Sequence, residues 1–182
     1  MTLQPGKDGD SFVPAAARAR ARDCPDASTA LVLGFGNVLL SDDGAGVRLL
    51  DRLRTEVGPH VADFVDGGTL SFTLLPLIQA TDALLVIDAA DLKATAGSIE
   101  LFEGGAMDQF LATACRRTVH EIGLIDLLHM ARLQGSLPPR RALLCIQPAH
   151  IEWSAALSEP VLQAFPDAIR QAQALLARWE IL

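Results

Sequence analysis

Apolar residues along the chain fall into two rhythms. Short unbroken runs that close on glycine or a polar residue mark strands buried on both faces: ALVLGFG (30–36), VADFVDGG (61–68), DALLVIDAA (82–90) and RALLCIQP (141–148). SIELFEGG (98–105) instead alternates polar and apolar positions, which predicts a half-exposed edge strand. Between these runs the spacing turns helical. Asp42, Asp43 and Gly44 open an element in which Val47, Leu49, Leu50 and Leu53 recur near helical intervals. LSFTLLPLIQA (70–80) reads as a helix shortened or kinked by Pro76. IGLIDLLHMARLQG (122–135) puts Leu124, Leu127, Leu128 and Ala131 on one face, and Gly135 followed by Pro138 closes it. A long terminal helix is predicted from Ser158, as N-cap, to Trp179, bent near Pro166. No element is assigned between 105 and 122.

Strands alternating with helices predict an α/β sandwich around a mainly parallel sheet. In such sheets ligands sit outside the carboxyl ends of the strands. Gly36–Asn37, Asp66–Gly67–Gly68, Asp88 and Gln147–Pro148 all stand at such ends and are expected to face one cleft. The ordered domain is expected over 28–182, beginning near Ala30. Residues 1–27, with Pro5, Pro14, Pro25 and the run AAARARAR, are expected to form a disordered or loosely helical extension. No apolar stretch follows those arginines, so neither a secretory nor a twin-arginine signal is supported.

A length of 182 residues, half of them hydrophobic, suits one domain with a sizeable core. Fifteen Lys and Arg stand against 22 Asp and Glu, for a net charge of −7. That balance argues against nucleic acid and anionic membrane surfaces as partners, because both call for a basic face. No stretch approaches the ~18 to 20 apolar residues of a membrane span. Cys24, Cys115 and Cys145 are odd in number and widely spaced, which fits a reducing compartment, the cytoplasm, and no disulfide framework. Without a long heptad or exposed apolar stripe, a monomer is expected.

The first turn, GFGNVLLSDDGAG (34–46), invites comparison with a dinucleotide fingerprint. Gly34 and Gly36 match, but Leu39 stands at the third glycine position, and the following acids would repel a pyrophosphate. The same acids suit a helix N-terminus. One of Asp42 and Asp43 can cap the helix while the other points into the cleft. Asp66 closes an apolar strand before two glycines, where it serves either an Asx-type turn or a ligand. His120 precedes a helix, and a lone histidine there is as readily structural as functional; His60, His129 and His150 have no better claim. Two carboxylates and an imidazole from three loops would make a metal site suited to nickel, zinc, manganese or iron. Their separation in sequence carries no local signature such as HExxH. Ordinary protease chemistry finds little support: no GxSxG elbow is present, Ser41 precedes two acids, and Cys145 lies in a predicted core strand.

At this point GFGNVLLSDDGAGVRLLDRL, FVDGG, DALLVIDAAD, VHEIGLIDLL and IQPAHIEWSAALSEPV, in that order, resemble the successive motifs of the hydrogenase maturation peptidases. The resemblance runs from about 30 to about 178. It implies a phosphorylase/hydrolase-like, three-layer α/β/α sandwich with a five-stranded, mostly parallel twisted sheet. The implied strand order is 2-1-3-5-4 with one antiparallel strand, which would be the segment at 98–104. It implies an endopeptidase that removes the C-terminal extension of a nickel-iron hydrogenase large-subunit precursor after nickel insertion. By the same resemblance Asp43, Asp66 and His120 would bind the metal, nickel supplied by the precursor, and Asp43 and Asp66 would be the catalytic acids. Asp42 could exchange roles with Asp43, and Asp88 would support the site from behind. No organic cofactor is implied. Two positions depart from the family pattern: Ala96, where relatives often carry Pro, and Gln147, where many carry a small apolar residue or Gly. Both concern loops near the cleft. A non-catalytic nickel-binding chaperone of hydrogenase assembly and a nucleotide-binding enzyme are the competing readings.

Overall fold

The computed structural model describes residues 30–68, 72–114 and 119–182, and of residues 114 and 119–122 the backbone alone. The expected N-terminal extension lies outside the described residues. Five strands form one sheet in the order β2-β1-β3-β5-β4. They are β1 (Ala30–Phe35), β2 (Asp63–Gly68), β3 (Ala83–Ala89), β4 (Ile99–Glu103) and β5 (Arg140–Ile146). β1, β2, β3 and β5 are parallel, and β4 runs antiparallel along β5 at one edge. Every residue of β1 and β3 is buried, which is why these strands read as continuous apolar runs.

Helices lie on both faces. α1 (Ala45–Val57) and α5 (Glu159–Arg178) cover one; α2 (Leu75–Gln79), α3 (Gly105–Ala114) and α4 (Val119–Leu133) lie on the other. The strands feed both cores in alternation. Val32, Leu85 and Leu144 join Leu49, Leu53 and Phe165. Leu33, Val86 and Leu143 join Ile78, Met107 and Leu127. This is the three-layer sandwich, with the strand order the motifs implied.

Several details differ from expectation. Ser41–Gly44 is a separate 3-10 turn before α1, and Phe72–Leu74 is another before α2, so the 70–80 segment is a broken helix whose first residues lie outside the described ones. α3 has no counterpart in the sequence reading. α5 runs through Pro166 without interruption, and Ser158 is its N-cap residue without a side-chain cap bond. α1 closes tightly on the sheet because a Cβ at Gly46 would stand 2.3 Å from the Phe35 carbonyl oxygen and 2.4 Å from that of Ile87.

Candidate active site at the carboxyl ends of the first two strands

The chain leaves β1 through Gly36, at φ +126°. Its N–H donates to the Gly68 carbonyl at 2.9 Å, which ties the exit of β1 to the end of β2. A side chain here is impossible without rebuilding the turn: a Cβ would lie 1.8 Å from the Asp43 carbonyl oxygen. The following residues fold back on themselves. Asn37 N–H donates to Asp43 Oδ2 at 2.8 Å, and Asp43 N–H donates to the Leu40 carbonyl at 3.0 Å. Asp43 is thereby fixed by its own loop, with 8% of its surface exposed.

Asp66 lies one strand over, opposite Gly34 in the parallel register. Its Oδ1 accepts the Gly68 N–H at 2.7 Å, an Asx-type turn, while the residue itself is exposed. Gly67 packs flat on the Phe35 ring, where a Cβ would come within 2.7 Å of a ring carbon. Asp43, in the turn after β1, and Asp66, near the end of β2, are therefore carried by segments joined through the Gly36–Gly68 hydrogen bond. His120 falls in the first turn of α4, and its side chain lies outside the described residues. Among the described residues no group of three His, Cys, Asp or Glu gathers as a metal site.

Asp42 and Asp43 have separate duties. Neither side chain caps a helix. Asp42 is fully buried and binds the segment that leads from β5 into α5. Its Oδ2 accepts the N–H of Ala149 at 2.9 Å, that of His150 at 3.4 Å and the Ser158 hydroxyl at 2.7 Å; its Oδ1 accepts the Ser158 N–H at 2.7 Å. Burial pushes its pKa up, but these hydrogen bonds outweigh it and hold the carboxyl below its ordinary value. Ser41 assists, at a strained φ of 45° for a non-glycine residue. Its hydroxyl donates to the His150 carbonyl and accepts the Glu152 N–H. A single parallel bridge, Leu40 to Ser154, completes the seam.

Gln147 binds the other loop at this end. Its Oε1 accepts the Leu92 N–H at 2.7 Å, its backbone N–H donates to Ser98, and its carbonyl accepts the Gly97 N–H. The residue that departs from the family pattern thus holds the loop that contains the second departure, Ala96. Asp88 is buried and accepts the Ala89 N–H at 2.8 Å. Cys145 is buried in β5, as its apolar run implied. The sequence reading missed the roles of Ser41, Ser158 and Gln147. The segments their side chains bind lie 53 to 116 residues away, so no local signal marks them.

Among the described residues no helix is long and apolar enough to cross a membrane. A family model described as hydrogenase maturation protease matches residues 47–175. The hydrogenase expression/formation protein HoxM of Cupriavidus necator is 34% identical over 152 residues, which span 82% of this chain and 74% of that one. The hydrogenase 2 maturation protease of Escherichia coli is 30% identical over 148 residues, 80% of this chain and 89% of its own. The solved structure of the hydrogenase maturating endopeptidase HybD from Escherichia coli superposes with a TM-score of 0.74 at 27% identity, covering 82% of this chain and 93% of that one. With the fold, the strand order and more than half of its length matched, the chain belongs to the hydrogenase maturation protease family.

Proposed function

We propose that this peptidase removes the C-terminal extension of a nickel-iron hydrogenase large-subunit precursor once nickel is in place, and that Asp43, Asp66 and His120 recognise that nickel. One observation carries the reading: two carboxylates, one from the turn after β1 and one from the end of β2, stand near adjoining carboxyl ends of parallel strands, where α/β folds bind their ligands. Nickel belongs to the substrate here, held by thiolates of the precursor. Two carboxylates and an imidazole offer it oxygen and nitrogen ligands, so a precursor without metal loses the interactions that dock it.

Two routes to the cut fit these residues. In one, the precursor's nickel polarises the scissile carbonyl. In the other, Asp43 or Asp66 takes a proton from the attacking water as general base. Asp43 is fixed by the Asn37 N–H and shielded from solvent, whereas Asp66 is exposed and open to the incoming chain. The odd, scattered cysteines support a reducing location, the cytoplasm.

The test is to incubate the protein with nickel-loaded and nickel-free precursor and follow the precursor's mass. Only the loaded form is expected to shorten. Asp66→Asn and His120→Ala should fold and leave it intact; normal processing by both variants removes the proposal. Binding with no change in mass would favour the non-catalytic chaperone.

A further inference from the structure

We infer that Val38, Leu39, Ile151 and Trp153 form a rigid apolar lip that grips an extended apolar stretch of the precursor polypeptide beside the bond to be cut. All four are exposed: Trp153 by 82%, Leu39 by 55%, Ile151 by 52% and Val38 by 39%. Lone exposed apolar residues are ordinary, but contiguous ones mark contact surfaces. The two loops that carry these four residues adjoin. The Leu39 carbonyl accepts the Ser154 N–H at 3.1 Å, and the Ser154 carbonyl accepts the Ser41 N–H at 2.6 Å, which joins the two loops edge to edge.

The lip is also continuous with the active site. Val38 and Leu39 follow Asn37, whose N–H holds the Asp43 carboxylate. The loop that bears Ile151 and Trp153 is fastened on both sides of them. Asp42 binds it at Ala149, His150 and Ser158, Ser41 at His150 and Glu152, and Arg48 at the Ala155 carbonyl. A fully buried carboxylate and a strained serine thus hold in place a loop whose tryptophan touches mostly water. Rigid, pre-placed aromatic side chains are the commonest binding hot spots, because little conformational freedom is lost when a partner arrives.

Size selects the occupant. Together the four side chains offer on the order of 400 Å² of apolar surface, about half of what each partner gives to a stable two-protein interface. That suits a few residues of extended chain better than a second folded copy.

The inference rests on the peptidase reading, and its test separates the two. Affinity for purified nickel-loaded precursor is measured by biolayer interferometry, and cutting is followed separately by mass. The variants are Trp153→Ser, Leu39→Ser with Trp153→Ser, Trp153→Phe and Leu133→Ser. Leu133 is 87% exposed but ends α4, ahead of the entry to β5 and so at the opposite end of the sheet. Every substitution is at an exposed side chain, so melting temperatures should match that of the wild type. Trp153→Ser is expected to raise the Kd at least tenfold and the pair further, with Trp153→Phe and Leu133→Ser near the wild type. Unchanged affinity in the first two overturns the inference. So does a wild type that fails to bind the precursor, or one that self-associates through Trp153 while precursor affinity is indifferent to it. Binding that follows this pattern with no cutting removes the peptidase reading and leaves the lip standing.

Discussion

Replacing Asp42 with asparagine tests whether a charge, rather than mere shape, holds the segment after β5 against the first turn. Asparagine fits the same space but keeps one acceptor oxygen. In its better orientation that oxygen stays where Oδ2 now receives Ala149, His150 and Ser158. Its NH2 group then faces the Ser158 N–H, leaving a donor at the head of α5 without its acceptor. Orphaning a buried donor costs about 1–3 kcal/mol, and the three retained bonds each weaken by roughly 0.5–1 kcal/mol when the acceptor loses its charge. Relief of the buried charge offsets part of this, but the depressed pKa of Asp42 says the fold favours the ionised form on balance. The net expectation is a loss of about 3 kcal/mol, a large share of the ~5–15 kcal/mol that stabilises a typical domain. At ~2–4 °C per kcal/mol for a chain of this size, the melting temperature at neutral pH should fall by about 6–12 °C. Circular dichroism reads the unfolding. Tryptophan emission reads the loop, since Trp153 is exposed on it while Trp179, the second tryptophan, is buried. An Asp42→Asn protein that melts within about 2 °C of the wild type would refute the argument that this carboxylate fastens the loop.

Two further outcomes are expected. Gly36→Ala should destabilise by roughly 3 kcal/mol or more in urea titration, since it combines a positive φ with a Cβ 1.8 Å from the Asp43 carbonyl oxygen; on the role proposed for Asp43, whatever folds should cut slowly. Asp108 accepts Arg141 Nε at 2.9 Å and Nη2 at 2.6 Å, with Arg132 alongside, and the hydrogen bond from Arg141 foremost holds its pKa below the ordinary 3.8. A lowered folded pKa gives stability that is complete above the ordinary value and is lost as pH falls through the lowered one. The deficit of Asp108→Asn should therefore be full at neutral pH and shrink below about pH 4, and a deficit that stays constant into acid would contradict it.

The sheet was legible because strands buried on both faces must be apolar throughout, as 30–35 and 83–89 are. The edge strand betrayed itself by its mixture of polar and apolar positions, Glu100 and Glu103 exposed while Leu101 and Phe102 pack against the cores on opposite faces. α3 escaped notice because it starts directly after Gly104, at φ +52°, and a pair of glycines reads as a turn. Asp42 and Asp43 could not be told apart because adjacent residues of one 3-10 turn project in different directions, and while Asp43 meets its own loop, what Asp42 meets comes from a segment more than a hundred residues away. Ser158 looked like a cap and stands at the cap position, but its hydroxyl goes to Asp42 instead of the helix. Such long-range pairings leave no periodic trace. The resemblance to the maturation peptidases supplied the strand order, which the apolar pattern alone did not.

The reversed strand at the margin of the sheet has a consequence for how the protein behaves in crowded solution. An outermost strand offers unpaired backbone groups on which a stranger's strand could grow into a ribbon. β4 is only five residues long, and Glu100 and Glu103 are exposed on it. Glu103 is paired with Arg178, so two copies approaching margin to margin would press chiefly the Glu100 carboxylates together. At the opposite margin β2 carries Asp63 and Asp66. Acid residues that look incidental on each border thereby discourage fibrous stacking.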